Sequence, residues 1–549
     1  MPKLACVADL EGVRGSLATA RESVRKTVTV CGGTGCRASG CLAVVEAVGK
    51  QLERQGLCES VRLRVTGCHG FCEQGPLMVI EPSGLFYCHL EPEDIGEIVA
   101  LSVARDEVVE RLAYVDPVRQ EARRRESEIP FYAGQDRVLL SENRQVDPCS
   151  IEDYLAIGGY SALSKVLGGM QPEEVIEEIK ASGLRGRGGG GFPTGRKWEL
   201  CRAVASPERF VICNADEGDP GAYMDRSILE GNPHSVLEGM LIGAYAVGAS
   251  QGYIYVRHEY PLAVHHAHVA VAEAREAGLL GGNILGSGFS FDVRIARGAG
   301  AFICGESTAL MASLEGSVGE PRPKDIHTVE EGLWKRPSTL NNVETWANVP
   351  LIIRRGAAWF AARGTEGSKG TKVFALTGQV KNTGLIEVAM GTSLRTIVHE
   401  IGGGPVNGHR IKAVQTGGPS GGCLPESCFD LPVDFDTLAE AGSMVGSGGM
   451  VVMDERTCMV DVARYFLRFL QDESCGKCVP CRLGIARMLE IVTDIAEGRG
   501  TPAQLELLED VADTVAQTSL CALGKTAPNP VLSTLRYFRE EYDAHINEG

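Results

Sequence analysis

The sequence lacks the features that carry proteins into or across membranes. No apolar stretch reaches the about 18–20 residues that a membrane-spanning helix needs, and the most apolar one, residues 236–249, is interrupted by Glu238. The N-terminus, MPKLACVADLEGVRG, carries acidic residues where a signal peptide needs an apolar core. The sequence therefore predicts no direct membrane span, and we expect a cytoplasmic protein.

An excess of basic residues is also absent. The 549 residues contain 54 Lys and Arg against 71 Asp and Glu, a net charge of −17, which disfavours binding to the phosphate backbone of nucleic acids. Fixed-period repeats and low-complexity tracts are lacking too, and 44% hydrophobic with 23% charged residues is typical of globular domains. Because this length exceeds that of one ordinary compact core, we expect several domains.

Cysteine and glycine are, in contrast, abundant. The 19 cysteines, in a chain without a secretory signal, favour metal or cluster chemistry in a reducing compartment over disulfides. The 68 glycines exceed the usual share of about 7% and follow no period, so they indicate loops that approach a ligand or another backbone closely.

The alternation of apolar and polar residues predicts a multidomain α/β protein with a helical C-terminal part. The predicted segments are a helical lead-in (residues 1–26), an α/β unit (27–104), a charged connector (105–147), a layered α/β domain (148–365), a small strand-rich unit (366–440) and a four-helix bundle (441–549).

Two groups of cysteines have the spacing of ligands. Cys31 and Cys36 follow one predicted strand, and Cys68 and Cys72 follow another. Four thiolates on two adjacent loops favour a [2Fe–2S] cluster, because the many glycines of these loops let backbone N–H groups approach its sulfides. Zinc, or cysteines without a ligand, are the alternatives.

The second group is the motif CGKCVPC, which contains Cys475, Cys478 and Cys481. A fourth cysteine, Cys521, follows after 39 intervening residues. Three thiolates within seven residues converge from one turn, which suits three corners of a cubane better than the paired ligands of a zinc ribbon. A [4Fe–4S] cluster between helices is therefore the prediction.

A glycine run, GRGGGGFPTGRKW, begins at Gly186. It contains G-x-G-x-x-G, but a predicted helix over residues 172–182 precedes it where a Rossmann fingerprint needs a strand. Dense glycines still let backbone N–H groups line a phosphate or a flat ring, and Lys197 would supply countercharge. The run favours a nucleotide or flavin loop, with a structural turn as the alternative.

Polar side chains end several predicted apolar strands, which is where ligand sites of α/β domains collect. Taken singly, each of these groups is more often a turn or a helix cap than a ligand. They are Asn214, Asp216, Glu217 and Asp219 after the strand FVIC, the segment Gly305-Glu306-Ser307, and the pair Asn341-Asn342.

Taken together, these motifs resemble the flavoprotein subunit of respiratory complex I (its 51 kDa subunit) and its soluble relatives, the diaphorase subunits of NAD-linked formate dehydrogenases and NAD(P)-linked hydrogenases. The likeness runs in unbroken order from about residue 130 to the end. Residues 27–104 resemble a thioredoxin-like [2Fe–2S] protein fused in front. The segments that carry the resemblance to the flavoprotein subunit are GLRGRGGGGFPTGRKW, ICNADEGDPG, YIYVRHEY, GAGAFICGESTALMASLEG, LNNVET and ESCGKCVPCR.

The resemblance implies four domains. They are a thioredoxin-like ferredoxin domain, a Rossmann-like domain for FMN and NAD(H), a β-grasp (SLBB) domain and a C-terminal four-helix bundle with an iron–sulfur cluster. FMN is expected to be held noncovalently, with the nicotinamide stacked over it. Hydride then passes directly to N5 of the flavin, so no catalytic acid or base is expected.

The resemblance also implies the site residues. The cofactor and nucleotide site is expected to contain Gly186, Arg187, Gly188, Gly191, Phe192, Lys197, Asn214, Asp216, Glu217, Asp219, Gly305, Glu306, Ser307, Lys324, Asn341 and Asn342. The expected ligands are Cys31, Cys36, Cys68 and Cys72 for the [2Fe–2S] cluster, and Cys475, Cys478, Cys481 and Cys521 for the [4Fe–4S] cluster.

One departure from the family bears on the nucleotide. Ser307 stands where complex I has a second Glu, a carboxylate that in the family lies near the adenosine ribose and repels a 2′-phosphate. Its loss makes NADP(H) possible, although NAD(H) is the expected substrate.

The sequence therefore predicts the diaphorase subunit of a soluble multisubunit oxidoreductase, which exchanges hydride between NAD(P)(H) and FMN and single electrons between FMN and clusters. The expected partners are the iron–sulfur and catalytic subunits of a formate dehydrogenase, a hydrogenase or a related complex. The alternatives are an electron-bifurcating flavoprotein subunit and a non-enzymatic, zinc-stabilised SLBB binding scaffold.

Overall fold

The computed structural model describes residues 3–323 and 325–548. Its first part, the N-terminal unit, follows helix α1 (Val7–Glu22). The unit has a four-stranded sheet in the order β2-β1-β3-β4, in which β1 and β2 are parallel and the other pairs antiparallel. Its elements are β1 (Lys26–Cys31), α2 (Thr34–Ala38), α3 (Cys41–Arg54), β2 (Val61–Thr66), β3 (Met78–Glu81), β4 (Leu85–Tyr87) and α4 (Ile95–Ile98).

The predicted connector packs against its neighbours. Its elements are β5 (Tyr114–Val115), β6 (Ala122–Arg123), α5 (Pro130–Ala133) and α6 (Leu140–Asn143). The buried carboxylate of Glu387, which lies in the strand-rich unit, accepts hydrogen bonds from the backbone N–H groups of Val138, Leu139 and Leu140 at 2.8–2.9 Å. These bonds satisfy a buried acid and hold the connector to that unit.

The central unit is a parallel sheet in the order β10-β7-β8-β9, covered by helices. Strands β7 and β8 are buried along nearly their whole length, as expected for a sheet with both faces covered. Its elements are α7 (Ile151–Ala156), α8 (Ser161–Gly169), α9 (Pro172–Ser182), α10 (Thr194–Ala203), β7 (Phe210–Ala215), α11 (Met224–Gly231), α12 (Pro233–Val247), β8 (Gln251–Arg257), α13 (Pro261–Glu276), β9 (Asp292–Gly298), α14 (Ser307–Leu314), β10 (Ser338–Asn342), α15 (Val343–Arg355) and α16 (Ala357–Ala361).

The strand-rich unit contains a five-stranded mixed sheet in the order β12-β11-β15-β13-β14. Its elements are β11 (Thr371–Gly378), β12 (Gly384–Ala389), β13 (Ile411–Thr416), β14 (Gly422–Pro425), α17 (Phe435–Glu440) and β15 (Gly449–Asp454). Because β15 lies in the middle of the sheet, between β11 and β13, the sheet is completed by a strand that lies beyond the predicted boundary at residue 440.

The C-terminal helices are four long helices and a short one: α18 (Met459–Asp472), α19 (Val479–Ala496), α20 (Pro502–Thr518), α21 (Ala522–Thr526) and α22 (Asn529–Glu548). They bury a shared apolar core that includes Leu467, Ile485 and Leu508. Within residues 3–323 and 325–548, no helix combines the length and apolarity needed to cross a bilayer.

Candidate functional site

The carboxyl ends of the parallel strands bring together the polar residues of separate motifs. The register pairs Asn342 at the end of β10 with Asn214 in β7, and Asn214 in turn with Tyr255 in β8. Asp216 follows β7 directly, and Arg257 ends β8. This edge of the sheet is where open α/β folds bind ligands.

The glycine run forms a loop that lies directly on this edge. The loop is closed by a hydrogen bond from the N–H of Gly186 to the carbonyl of Phe192 at 2.9 Å. A Cβ atom at Gly188 would lie 3.0 Å from the Cβ of Asn342, so only glycine lets the loop approach β10 this closely. The exposed backbone of the loop is thus placed over the strand ends.

Arg187 fixes the glycine loop through hydrogen bonds to backbone carbonyls. Its side chain is fully buried, and its guanidinium donates to the carbonyls of Lys369 at 2.5 Å, Thr371 at 3.1 Å and Arg185 at 3.2 Å. Burial lowers the pKa of Arg187 to about 10, which leaves it charged at neutral pH. These hydrogen bonds attach the loop to the strand-rich unit. Because the guanidinium of Arg187 is directed to these carbonyls, its side chain points away from a ligand bound over the loop.

Lys197 and Asn341 form the part of this edge that can bind a phosphate group. Lys197, on α10, donates from Nζ to the carbonyl of Leu340 at 2.8 Å and to Oδ1 of Asn341 at 3.2 Å. The amide Nδ2 of Asn341 is buried and has no hydrogen-bond partner among the described residues. A buried donor of this kind is costly unless a ligand satisfies it, so this corner is suited to an anionic or polyhydroxylated group.

Asp216 provides an acceptor at the same edge. Its Oδ1 accepts from Nη1 of Arg257 at 2.7 Å, while its Oδ2 is buried and has no hydrogen-bond partner in the part of the chain that the structure describes. Burial raises the pKa of Asp216 to about 6, although Arg257 opposes the shift. A carboxylate oxygen in this setting can accept from a ligand hydroxyl, which fits the ribityl chain of FMN.

Three of the predicted site residues use their side chains within the protein. Oδ1 of Asn342 accepts from the N–H of Thr345 at 3.2 Å and caps α15, and its Nδ2 donates to Asp225 at 2.9 Å. Glu217 accepts from the N–H groups of Asp225 and Arg226 at 3.1 and 3.0 Å. Asn214 donates from Nδ2 to the carbonyl of Gly305 at 2.9 Å.

Sequence reasoning missed Asp225 and Arg257. Arg257 carried a signal, because a charged residue that ends the apolar strand YIYV lies at the ligand-binding edge of a parallel sheet. No sequence signal pointed to Asp225, because its burial and its contact with Asn342 follow from the packing of α11 on β10 and α15.

The strand-rich unit closes one side of the site. Ser447, just before β15, donates a hydrogen bond to Oδ2 of Asp219, and Gly189 forms a backbone bridge with Gly446. Burial raises the pKa of Asp219 to about 6. Phe192 is 48% exposed at the mouth of the site, as a ring that stacks on a nucleotide would need to be. Lys324 lies outside the described residues.

Glu306 and Ser307 begin helix α14. Oε2 of Glu306 accepts from the N–H groups of Thr308 at 2.8 Å and Ala309 at 3.1 Å, which caps the helix. The carboxylate is also close enough to Cys521 to raise the pKa of that thiol, after the larger effect of burial. The predicted flavin residues therefore border the second cysteine group.

The four cysteines of the second group line one pocket. Its lining includes Cys475, Cys478, Cys481 and Cys521, together with Ile303 from the segment that leads to Glu306. In the parts of the chain that the structure describes, no three Cys, His or acidic side chains converge on one ion-sized point. Four thiols that line one pocket, three of them within seven residues, fit the corners of a cubane cluster.

The first cysteine group lies on the two loops that follow β1 and β2. Sγ of Cys68 and Sγ of Cys72 are 3.7 Å apart, and Cys31 and Cys36, on the other loop, are buried. The N–H of Gly70 donates to Sγ of Cys68 at 3.3 Å. Backbone donors aimed at thiol sulfur stabilise thiolates, so these residues fit a cluster ligand set.

Comparison with known families agrees with this architecture. The matches are the Nuo51 FMN-binding domain (residues 179–351), the NADH-ubiquinone oxidoreductase-F iron-sulfur binding region (461–545), the thioredoxin-like [2Fe-2S] ferredoxin (19–102) and the SLBB domain (373–424). They confirm the predicted fold class and the predicted cofactors FMN, [2Fe–2S] and [4Fe–4S].

Individual relatives cover most of the chain. It is 54% identical over 403 residues to the HndC subunit of the NADP-reducing hydrogenase of Solidesulfovibrio fructosivorans, in an alignment that spans 73% of this chain and 82% of that protein. It is 47% identical over 411 residues to the F 2 subunit of the NADH-quinone oxidoreductase of Rhizobium meliloti (strain 1021), in an alignment that spans 75% of this chain and 98% of that protein.

A solved structure extends the likeness to the whole length. The crystal structure of an NAD+-reducing [NiFe]-hydrogenase in the H2-reduced state aligns with a TM-score of 0.66 at 29% identity, covering 97% of this chain and 88% of that chain. The chain therefore belongs to the family of FMN-binding and iron–sulfur-binding NADH-oxidising subunits that includes the F-type subunits of NADH-quinone oxidoreductases.

Proposed function

We propose that the residues at the carboxyl edge of the central sheet hold FMN between the nicotinamide and the [4Fe–4S] cluster, which is how this chain performs the NAD(P)H-oxidising activity of its family. Bound FMN takes up a hydride and gives up electrons singly. The observation that carries this proposal is a pair of buried atoms at one strand edge, Nδ2 of Asn341 and Oδ2 of Asp216, for which residues 3–323 and 325–548 offer no hydrogen-bond partner.

Each part of the edge has a distinct task in this proposal. The backbone of the glycine loop and Lys197 bind the anionic part of the cofactor, while Asn341 and Asp216 bind its hydroxyl groups. Phe192 and Asp219 lie on the nucleotide side. Proximity and orientation, which these residues provide, are what direct hydride transfer needs.

The route to the cluster is short in sequence. Ile303 lines the cavity of the cysteines and Glu306 belongs to the predicted flavin site, so residues 303–306 join the two. The backbone N–H of Phe302 donates to Glu473 at 2.7 Å, which ties this segment to the C-terminal helices. This hydrogen bond supports a proposed flavin site that lies next to the pocket of the cysteines.

Lys197→Met tests the flavin assignment. The purified variant should lose at least nine-tenths of its FMN, measured by flavin fluorescence after acid release, while the paramagnetic signals of both reduced clusters remain. Lys165→Met is the matched control, because Lys165 also donates to a carbonyl, that of Ile353 at 2.7 Å, far from the site. Full flavin content in Lys197→Met would contradict the assignment.

NAD(H) is the proposed nucleotide, and one observation favours NADP(H) as a second. Ser307 is the first residue of α14, so a hydroxyl stands at the position where a carboxylate would repel a 2′-phosphate. Ser307→Glu should lower kcat/KM for NADPH at least tenfold and change that for NADH little. An equal loss with both nucleotides would show that Ser307 does not discriminate between them.

The chain is proposed to work in a hydrogenase-type complex in the cytoplasm. Its relatives are subunits of multisubunit enzymes, and both HndC and the aligned crystal structure belong to hydrogenases. A reducing compartment keeps cluster thiolates available. Co-purification of the tagged chain with a hydrogen-activating subunit tests the proposal, and recovery with formate-oxidising partners instead would overturn it.

A further inference from the structure

The peptide group between His69 and Gly70 is hydrogen-bonded at both of its ends. Its N–H, which belongs to Gly70, donates to Sγ of Cys68 at 3.3 Å. Its carbonyl, which belongs to His69, accepts from Nη2 of Arg137 at 2.9 Å. One planar amide therefore joins an arginine cation to a cysteine of the first group.

The arginine belongs to the connector and not to the N-terminal unit that carries the cysteine. Arg137 lies between α5 and α6, and its side chain is 11% exposed. Its guanidinium lies over the ring of Tyr132, 4.9 Å from the ring centroid, and Nη2 also donates to the carbonyl of Leu140 at 3.3 Å. Glu126 lies 3.5 Å from Nη1 and pairs more closely, at 3.0 Å, with Arg144. Packing thus holds the cation at the carbonyl of His69, and its nearest acid is shared with a second arginine.

The strand-rich unit fixes the next peptide of the same loop. The N–H of Leu385, in β12, donates to the carbonyl of Gly70 at 2.7 Å, and a Cβ at Gly70 would lie 2.7 Å from the carbonyl oxygen of Leu385. The side chain of His69 is fully buried and hydrogen-bonded to Oγ1 of Thr66 at 2.7 Å. The loop therefore has little freedom to turn the N–H of Gly70 away from Cys68.

We propose that Arg137 is a positioning residue that raises the reduction potential of the [2Fe–2S] cluster by strengthening the hydrogen bond from Gly70 to Cys68. The proposal rests on the predicted ligand set, which is Cys31, Cys36, Cys68 and Cys72. Hydrogen bonds at the two ends of one amide polarise each other, so a charged donor at the carbonyl makes the N–H a stronger donor. Reduction adds one electron, from reduced flavin or from dithionite, and breaks no covalent bond. Because it places more negative charge on the cysteine sulfurs, the N–H···S bond stabilises the reduced form more than the oxidised form.

The test is an anaerobic redox titration of the full-length protein in which each reduced cluster is followed by its paramagnetic signal. Arg137→Gln removes the cation and should shift the reduction equilibrium of the [2Fe–2S] cluster about tenfold toward the oxidised form, about 59 mV for one electron. Arg137→Lys keeps a charged donor and should stay within about threefold of the wild-type equilibrium. Equal shifts in the two variants would show that the shape of the side chain, and not its charge, sets the effect, and would overturn the proposal.

Arg144→Gln is the matched control for charge alone. Arg144 pairs with the same Glu126 and with Glu81 at 2.9 Å, and in the part of the chain that the structure describes it donates no hydrogen bond to residues 68–72. Its loss should change the potential by less than half as much as Arg137→Gln does. An equal change would show that net charge, and not the contact with the carbonyl of His69, sets the potential, and would overturn the proposal.

Two further outcomes are decisive. If Arg137→Gln purifies without the [2Fe–2S] cluster, Arg137→Lys decides alone: a potential near that of the wild type supports the proposal, and a tenfold shift overturns it. If the wild type shows no [2Fe–2S] signal although the [4Fe–4S] cluster is present, the ligand assignment fails, and the proposal fails with it. Resonance Raman bands of the iron–cysteine stretches in the oxidised cluster provide a readout apart from the potential. They should change in Arg137→Gln and not in Arg144→Gln, and unchanged bands in Arg137→Gln would contradict a weakened N–H···S bond.

Discussion

At the scale of single residues, two adjacent asparagines at the carboxyl edge of the central sheet have different roles. Successive side chains of a strand point to opposite faces, so Asn341 and Asn342 at the end of β10 meet different surroundings. Asn342 caps α15 and binds Asp225, whereas the Nδ2 of Asn341 has no hydrogen-bond partner among the residues that the structure describes. The sequence predicted both as ligands, because a dipeptide at a strand end does not reveal which face is buried.

The two asparagines should therefore respond differently to alanine. Asn341→Ala should weaken FMN binding about tenfold and leave thermal stability nearly unchanged. Asn342→Ala removes a helix cap, which costs about 1 kcal/mol, and leaves Asp225 without its amide donor. It should lower the unfolding midpoint. FMN titration by fluorescence together with thermal denaturation checks both, and identical behaviour of the two variants would contradict this division.

Asp219 gives a pH-dependent expectation. Burial raises its pKa from 3.8 to about 6, so the folded state binds its proton more tightly than the unfolded state does. The stability from this proton is complete below about pH 4 and is lost as the pH rises through 6, a difference of about 3 kcal/mol.

Asp219→Asn removes this titration. The unfolding midpoint of the variant, relative to that of the wild type, should therefore rise as the pH increases from 4 to 6. Thermal denaturation of both proteins over this range is the measurement, and parallel curves would show that Asp219 does not titrate as described.

At the scale of elements, the glycine loop works because its backbone lies against β10. Gly188→Ala would place a methyl group 3.0 Å from the Cβ of Asn342 and push the loop off the strand edge. FMN binding should fall at least tenfold. Gly168→Ala in α8 is the control, since a Cβ there meets no atom within 4 Å. Unchanged FMN affinity in Gly188→Ala would show that the loop tolerates displacement.

The elements were largely predictable, and the contacts between them were not. Apolar runs and cysteine spacing predicted the strands before Cys31 and Cys68, and helical periodicity predicted the long C-terminal helices. The place of β15 in the middle of the strand-rich sheet was missed, because pairing of β15 with β11 joins residues far apart in sequence. The closure of the site by Ser447 was missed for the same reason.

At the scale of the whole molecule, the N-terminal unit is locked to the central unit by a buried ion pair. Nε of Arg64 lies 2.6 Å from Asp153, and both side chains are 3% exposed. Arg62 also pairs with Asp153, at 2.8 Å, but its side chain is 45% exposed. Removing one partner of a buried pair leaves a buried charge, whereas an exposed partner contributes little.

Arg64→Ala should therefore destabilise the docking by about 3–5 kcal/mol, and Arg62→Ala by less than about 1 kcal/mol. Limited proteolysis within residues 105–147 should become faster only in Arg64→Ala. Equal proteolysis rates in both variants would contradict a lock at Arg64.

The central claim is that FMN at the strand edge passes electrons from a nicotinamide to the [4Fe–4S] cluster of the same chain. The most direct measurement is rapid anaerobic mixing of the purified holoprotein with NADH, followed by optical and paramagnetic detection. We expect the flavin band to bleach first and the signal of the reduced [4Fe–4S] cluster to follow within the same turnover. Bleaching of the flavin without any cluster signal, in protein whose cluster is reducible by dithionite, would contradict the account.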